Sequence, residues 1–378
     1  SLTMNERLAR IEWSRISEGA DVMAHQLIER LGAANALESV RSGADLTPAE
    51  RKAAARWLHR LVHNDPFNMR ALDALGMSVL IPGDQAWPDQ LNDLGPEAPP
   101  VLWVKGNPGA LTARQSVAIV GSRAASAAGI GIARDFACDI SEVATVVSGG
   151  AFGIDAAAHS GAILAQEPTI IVSAGGADRI YPRAHENLFR QVLDGGGAVV
   201  SESPLGAAPQ RYRFLARNRI IAALGQATLV VEAPSRSGAL STARHAMKIG
   251  REVGAVPGPI DAVHSRGCID LLRNGATAIA SVDHLRELIG PMHVQEPLEP
   301  DFFSFGAADD FDPRTARTLD AVPVRKGADV ASIASVAGLS VTETLAALGR
   351  LVLSGLVDER SGRWIRTKSG VGGHTQMS

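Results

Sequence analysis

The sequence predicts an α/β protein: an extended Rossmann-type, doubly wound and mostly parallel sheet, with a small N-terminal helical domain and a C-terminal winged-helix domain. Three observations predict it. From residue 117 to about 290, short apolar runs alternate with helical stretches through turns of the length that βα units use. The runs, at 117–120, 144–147, 169–173, 198–201, 228–232, 252–255 and 277–280, are apolar continuously rather than alternately, as parallel strands covered on both faces are. The flanking segments instead carry helical periodicity and helix caps.

Taken in order, residues 1–75 form the helical, SAM-like domain. Apolar positions in ERLARIEWSRI and ADVMAHQLIERLG recur every three or four residues, and Gly32 suits a C-cap. Thr47, Pro48 and Glu50 open another helix as cap, first-turn proline and capping-box partner; Trp57 and His59 inside it read as packing and surface residues. Residues 76–290 form the Rossmann-type domain, whose first part holds two short strands, 79–81 and 101–104, decorating the sheet. Residues 291–312 contain six acidic residues and no Lys or Arg, so they read as a linker. Its Phe302, Phe303, Phe305 and Phe311 suit either docking on a neighbour or a binding segment. Residues 313–367 read as three helices and a hairpin. Ser340 and Glu343 form a capping box, and Gly355-Leu356-Val357 and Arg363-Trp364-Ile365 supply the wing. The helix that would enter a groove has no Lys or Arg in its first turns, where base reading needs donors. Protein docking fits it at least as well. Residues 368–378 read as a disordered tail.

Composition narrows the function. The net charge of −3 over 378 residues excludes a polycationic coat protein, so nucleic-acid binding would need a local basic site. No apolar run approaches the ~18 residues of a membrane span, and no signal-peptide pattern is visible. Cys138 and Cys268 have neither disulfide-framework nor metal spacing and read as helix residues of a reduced, cytoplasmic protein.

Gly121-Ser122-Arg123 and Ser148-Gly149-Gly150 follow the first two parallel strands. At carboxyl ends of strands, backbone N–H groups and helix dipoles favour an anion. Residues 148–153 approach a dinucleotide fingerprint, but the next strand ends in Ser173-Ala174-Gly175-Gly176 with no acid for a ribose, so NAD is not expected; nor does any glycine turn carry a Walker lysine. No cofactor or metal is expected. Residues 211–219, RYRFLARNR, interleave four arginines with Tyr212 and Phe214, the phosphate donors and stacking faces of single-strand binding. Residues 178–183, DRIYPR, follow the third strand, and Ser237-Gly238 start another helix at the same edge. Asp155 and Glu232 read as anchors for loop amides or arginines rather than as catalysts, and His159 as an internal hydrogen-bonding residue.

GSR at 121–123, SGGAFGIDAAAH at 148–159, DRIYPRAHENL at 178–188, SESPLG at 201–206, RFLARNRIIAAL at 213–224, VVEAPSRSGALSTARHA at 230–246, GREVGAVPG at 250–258 and SRGCIDLLRNGA at 265–276 resemble the DNA-processing protein A family (DprA, also called Smf). The resemblance implies a cytoplasmic bacterial protein that binds and protects incoming single-stranded DNA and loads the recombinase RecA during natural transformation. It also implies a homodimer formed through the Rossmann-type domain. It carries the DNA-phosphate pocket to Arg123 with Ser148, Gly149 and Gly150, and adds Arg183 after the Tyr-Pro pair. Many members have arginine where this chain has Phe152, an aromatic suited to stacking on a base. The expected site is Gly121, Ser122, Arg123, Ser148, Gly149, Gly150, Phe152, Arg183, Arg217, Asn218, Arg219, Ser237 and Gly238, with no catalytic residue. Two alternatives stand beside it. One is a nucleotide hydrolase of phosphoribohydrolase type, although the PGGxGTxxE signature is missing around Glu232. The other is a nucleotide-sensing adaptor whose winged helix binds a partner.

Overall fold

The computed structural model describes residues 2–290 and 312–367, in two compact units divided at Pro291. The expected linker, apart from Asp312, and the expected tail lie outside the described residues.

The first unit begins with five helices: α1 (Leu2–Ile16), α2 (Val22–Leu31), α3 (Ala33–Ser42), α4 (Pro48–His63) and α5 (Arg70–Leu75). Their ends are chemically fixed. Asp21 caps α2 by accepting the Ala24 N–H, Gly32 ends it by donating to the Ile28 carbonyl, and Thr47 with Glu50 closes the capping box of α4. Trp13 and Trp57 meet edge to face at 5.1 Å in the shared core. The Trp57 indole also donates to Asp21, so a helix cap and a core residue hold each other. These helices are fastened to the sheet domain. Arg7 forks onto the Asp84 carboxylate at 2.6 and 2.9 Å and donates to the Val79 carbonyl. Ile11 packs with Val79 and Trp103.

Nine strands then form one sheet: β1 (Met77–Leu80), β2 (Leu102–Gly106), β3 (Ser116–Val120), β4 (Thr145–Ser148), β5 (Thr169–Val172), β6 (Ala198–Ser201), β7 (Ala227–Val230), β8 (Glu252–Ala255) and β9 (Thr277–Ala278). Their order is β1-β2-β6-β5-β4-β3-β7-β8-β9. The seven strands from β6 to β9 pair in parallel; β2 joins β6 antiparallel and β1 joins β2 antiparallel. The decorating strands thus extend the main sheet itself. Between strands run α6 (Ala127–Ile140), α7 (Ile154–Leu164), α8 (Glu186–Asp194), α9 (Arg211–Leu224), α10 (Gly238–Lys248), α11 (Arg266–Arg273) and α12 (Val282–Ile289). One sheet face packs on α9 and α10 through Ile220, Ile221 and Ala243, the other on α6, α7 and α12 through Ala137, Ala158 and Leu285. Burial on both faces is why the strands read as unbroken apolar runs.

From β3 the chain winds one way through β4, β5 and β6, then returns through α9 to β7 on the other side of β3. The reversal between β3 and β7 is the topological switch point, where an open α/β sheet leaves a crevice at its strand ends.

The second unit holds α13 (Pro313–Ala321), α14 (Val330–Ala337), α15 (Val341–Leu353) and the antiparallel hairpin β10 (Val357–Arg360) and β11 (Arg363–Arg366). Asp312 caps α13, and the Ser340–Glu343 capping box opens α15. Leu319, Ile333, Leu348, Leu351 and Val357 form its core. Val341, Leu345, Val352 and Leu353 of α15 remain exposed. Among the described residues no single helix is long and apolar enough to cross a membrane.

Candidate nucleic-acid interface

A cleft of about 410 Å³ opens at the switch point, bounded by the loops after β3, β4 and β7 and by α9. Gly121, Ser122, Arg123, Arg217, Asn218, Ser237 and Gly238 of the expected set line it, together with Phe214 and Asp155.

The loop after β3 is held by its neighbours. The Ser122 N–H donates to the Glu232 carbonyl at 2.7 Å, and the Ser122 carbonyl accepts the Ile154 N–H at 3.1 Å. Gly153 permits this approach: it stands at φ +76°, and a Cβ there would lie 2.2 Å from the Ser122 carbonyl oxygen. The Glu232 carboxylate turns back to the start of α6, accepting the Ser126 N–H at 2.9 Å and the Ser126 hydroxyl. Gly129 leaves room for it, because a Cβ there would touch the carboxyl carbon.

Arg123 rises from this fixed loop into solvent, and no carboxylate among the described residues pairs with it. Its guanidinium lies 5.1 Å from the centre of the Phe214 ring, and that of Arg217 lies 5.6 Å from the same ring. Tyr181 tilts against Phe214 at 5.5 Å. One exposed cation, one buried cation and two aromatic rings therefore meet at the mouth of the cleft.

Arg217 is 5% exposed and donates to the Gly149 and Val172 carbonyls at 3.1 and 2.6 Å. Burial pulls its pKa down to about 10, against the attraction of Asp155 and with a further push from the like charge of Arg123. An anion entering the cleft relieves that repulsion. Burial likewise pushes the Asp155 carboxyl above its ordinary range, opposed by Arg217 and by bonds from backbone amides.

The second glycine turn is turned inward. The Asp155 carboxylate accepts the Gly149 N–H at 3.1 Å and the Ala151 N–H at 3.4 Å, filling the place expected for an external phosphate. Ser148 is fully buried and donates to the Ile119 carbonyl. The Gly150 carbonyl faces His185 Nδ1 at 2.9 Å, and Phe152 packs its edge on the His185 ring. The two expected turns thus differ in this structure: Gly121-Ser122-Arg123 faces the cleft, while the Gly149 N–H at the second turn is held by the protein's own carboxylate. Phe152 is outside the cleft lining. Arg183 is exposed on an adjoining hollow that it lines with Glu186 and Tyr181. Arg219 also lies elsewhere. It is 1% exposed and forks onto Glu202 at 2.6 Å while donating to the Glu97 carbonyl, which commits it to packing. Phe214 and the exposed Arg236, which line the cleft, and Tyr181, which packs on Phe214, were missing from the expected set. Each had a signal: Phe214 in the arginine-rich run, Tyr181 as an aromatic in the segment after β5, and Arg236 as a basic residue just before the α10 cap.

His159 is completely buried, with Nδ1 2.8 Å from the Thr169 hydroxyl. That hydroxyl donates to the Val146 carbonyl, so the imidazole donates through Nδ1. Burial, with the charges of His185 and Arg217, pushes its pKa down from 6.5 to about 3. The unfolded chain takes up a proton near pH 6.5 that the folded chain refuses, so stability falls as pH falls through this window. From pH 6.5 to 5 the loss is about 2 kcal/mol. We expect His159→Gln to flatten the stability difference between pH 7 and pH 5 by that order in urea denaturation; an unchanged pH dependence would contradict a neutral buried imidazole.

The model of the family described as DNA recombination-mediator protein A matches residues 78–290. A Mycobacterium tuberculosis relative bearing the DprA name is 35% identical over 372 residues, covering 95% of this chain and 94% of its own. The X-ray structure of DprA from Streptococcus pneumoniae superposes with a TM-score of 0.61 at 29% identity, over 75% of this chain and 97% of that one. A structure of the Helicobacter pylori protein, described for its single-stranded DNA binding mode, gives 0.51 at 28% identity, over 56% of this chain and 94% of that one. Sequence and fold agree, and the chain belongs to the DNA recombination-mediator protein A (DprA, or Smf) family.

Proposed function

We propose that this protein binds single-stranded DNA in the switch-point cleft, protects it, and delivers it to the RecA recombinase during DNA uptake. It does so as a cytoplasmic homodimer joined through the Rossmann-type domain, without catalysing a reaction. The observation that carries this reading is Arg123, a permanent cation with no carboxylate partner among the described residues, laid over the Phe214 ring at the cleft mouth. A guanidinium donor beside an aromatic face suits a phosphate and its unstacked base. The Helicobacter pylori relative adds support, being described for single-stranded DNA binding. Asp155 and Glu232, the carboxylates nearest the cleft, are engaged with backbone amides, which argues against a glycosidic-bond hydrolase. In the second unit we read α13 to α15 and the hairpin as a winged helix. The exposed apolar residues of α15 favour protein docking over reading of duplex DNA.

Titration with labelled oligothymidylates of increasing length tests the binding reading. Affinity is expected to tighten with length and to weaken steeply as salt rises. Equal affinity for a mononucleotide and a long strand, with little salt dependence, would instead identify a nucleotide sensor.

A further inference from the structure

One face of α4 carries cations that the cleft does not use. Lys52, Arg56, His59 and His63 stand at i, i+4, i+7 and i+11, opposite the buried Ala53, Ala54 and Trp57. All four are exposed, and Lys52 and Arg56 pair with no carboxylate among the described residues. The rings of His59 and His63 lie 4.4 Å apart. An ordinary solvated helix face alternates acids with bases to gain i,i+4 pairs. From Arg51 to His63 this helix has no acidic residue, in a chain whose net charge is −3. The row runs for about 16 Å along the helix.

A chain of contacts joins this helix to the cleft. Arg60, beside the row, lies 3.3 Å from the Glu18 carboxylate. Glu18 also accepts from the Tyr212 hydroxyl at 3.2 Å and from Arg213. Tyr212 is 47% exposed and, two residues and about 200° of helix from Phe214, turns to Glu18 rather than into the cleft. The helix α9 thus presents Phe214 to the cleft and an exposed aromatic, Tyr212, to the Glu18 that bonds α4. This is the alternation of base platform and phosphate contact that single-strand binding uses.

We propose that the α4 row is a second nucleic-acid contact, a phosphate track that takes up the strand where it leaves the cleft over Tyr212. The proposal rests on the single-strand reading of the cleft. An acidic peptide would satisfy the charges alone; the intervening aromatic and the continuity with the cleft favour a nucleic acid.

The test compares a six-nucleotide with a thirty-nucleotide oligothymidylate on the full chain, with Lys52→Gln and Arg56→Gln combined. Glutamine is a good helix former, so α4 is retained, and an unchanged thermal melt verifies it. The long strand should bind roughly five- to tenfold more weakly to this variant, with the log–log salt slope shallower by about 1 to 1.5. The short strand, which the cleft alone accommodates, should bind as before. Unchanged affinity and slope for the long strand would overturn the track. A poly-glutamate peptide that binds as tightly as the long strand, and is lost in the variant, would overturn it in favour of a protein partner. Arg123→Ala separates the two readings: short-strand binding that survives it removes the cleft reading, whatever the α4 variant does.

Discussion

Replacing Arg123 by alanine is expected to weaken single-stranded DNA binding by roughly 10- to 100-fold and to leave the thermal melt unchanged. The side chain is exposed, pairs with no carboxylate among the described residues, and supports its surroundings only through contact with the Phe214 ring. Its removal therefore costs the fold little. In binding, a charge-assisted contact to phosphate contributes about 1.5–3 kcal/mol, which converts to that range of affinity. Arg123→Lys keeps the charge but loses the planar fork and the ring stacking, and should recover only part of the loss. Fluorescence anisotropy at fixed ionic strength reads both. An Arg123→Ala protein that binds as wild type would remove the switch-point cleft as the DNA site.

Arg217 should behave in the opposite way, with a stability effect larger than any at the surface. Arg217→Leu leaves the buried Asp155 without its counter-charge and the Gly149 and Val172 carbonyls without their donor. Stranding a buried charge typically costs about 3–5 kcal/mol, and the melting temperature should fall by roughly 10 °C. Adding Asp155→Asn removes the stranded charge and should return part of the loss, since the two groups act as a unit. A single variant losing less than about 1 kcal/mol would mean that water reaches the guanidinium. DNA binding also falls in Arg217→Leu, but through the displaced loop after β4 and the altered Phe214 platform.

The sheet was readable because its physics is local. Strands buried on both faces must be apolar throughout, and β3, β5, β6, β7 and β8 stand where such runs occur. The second parallel strand runs one residue later than expected, Thr145–Ser148, because Ser148 is drawn into the sheet by its bond to the Ile119 carbonyl. That β2 would pair antiparallel with β6, nearly a hundred residues later, had no local signal. The same boundary runs through the site. Arg123, Ser237 and Gly238 were identifiable because the sequence sets them at a strand end and a helix start, and Phe214, Arg217 and Asn218 because they fall in the arginine-rich run of α9. Which way each arginine of α9 points was not. Arg217 and Arg219 are two residues and about 200° of helix apart, and Arg219 is claimed by Glu202, which the sequence places on a different element. The inward role of Asp155 was legible: read as an anchor for loop amides, it accepts the N–H of Gly149, six residues back.

That inward carboxylate has a consequence for competition. Three helix starts, those of α6, α7 and α10, approach the cleft, and each is a natural seat for an anion. Glu232 occupies the first and Asp155 the turn before the second. Because both are tethered, they stand at their seats at an effective concentration that a dissolved nucleotide must outcompete. A lone diphosphate or triphosphate gains little by displacing them; on the proposed reading a strand would bind at the mouth, through Arg123 and the rings, without having to. On that reading the chain carries its own resident competitors of small phosphates, and the same cleft would stay open to a strand among free nucleotides.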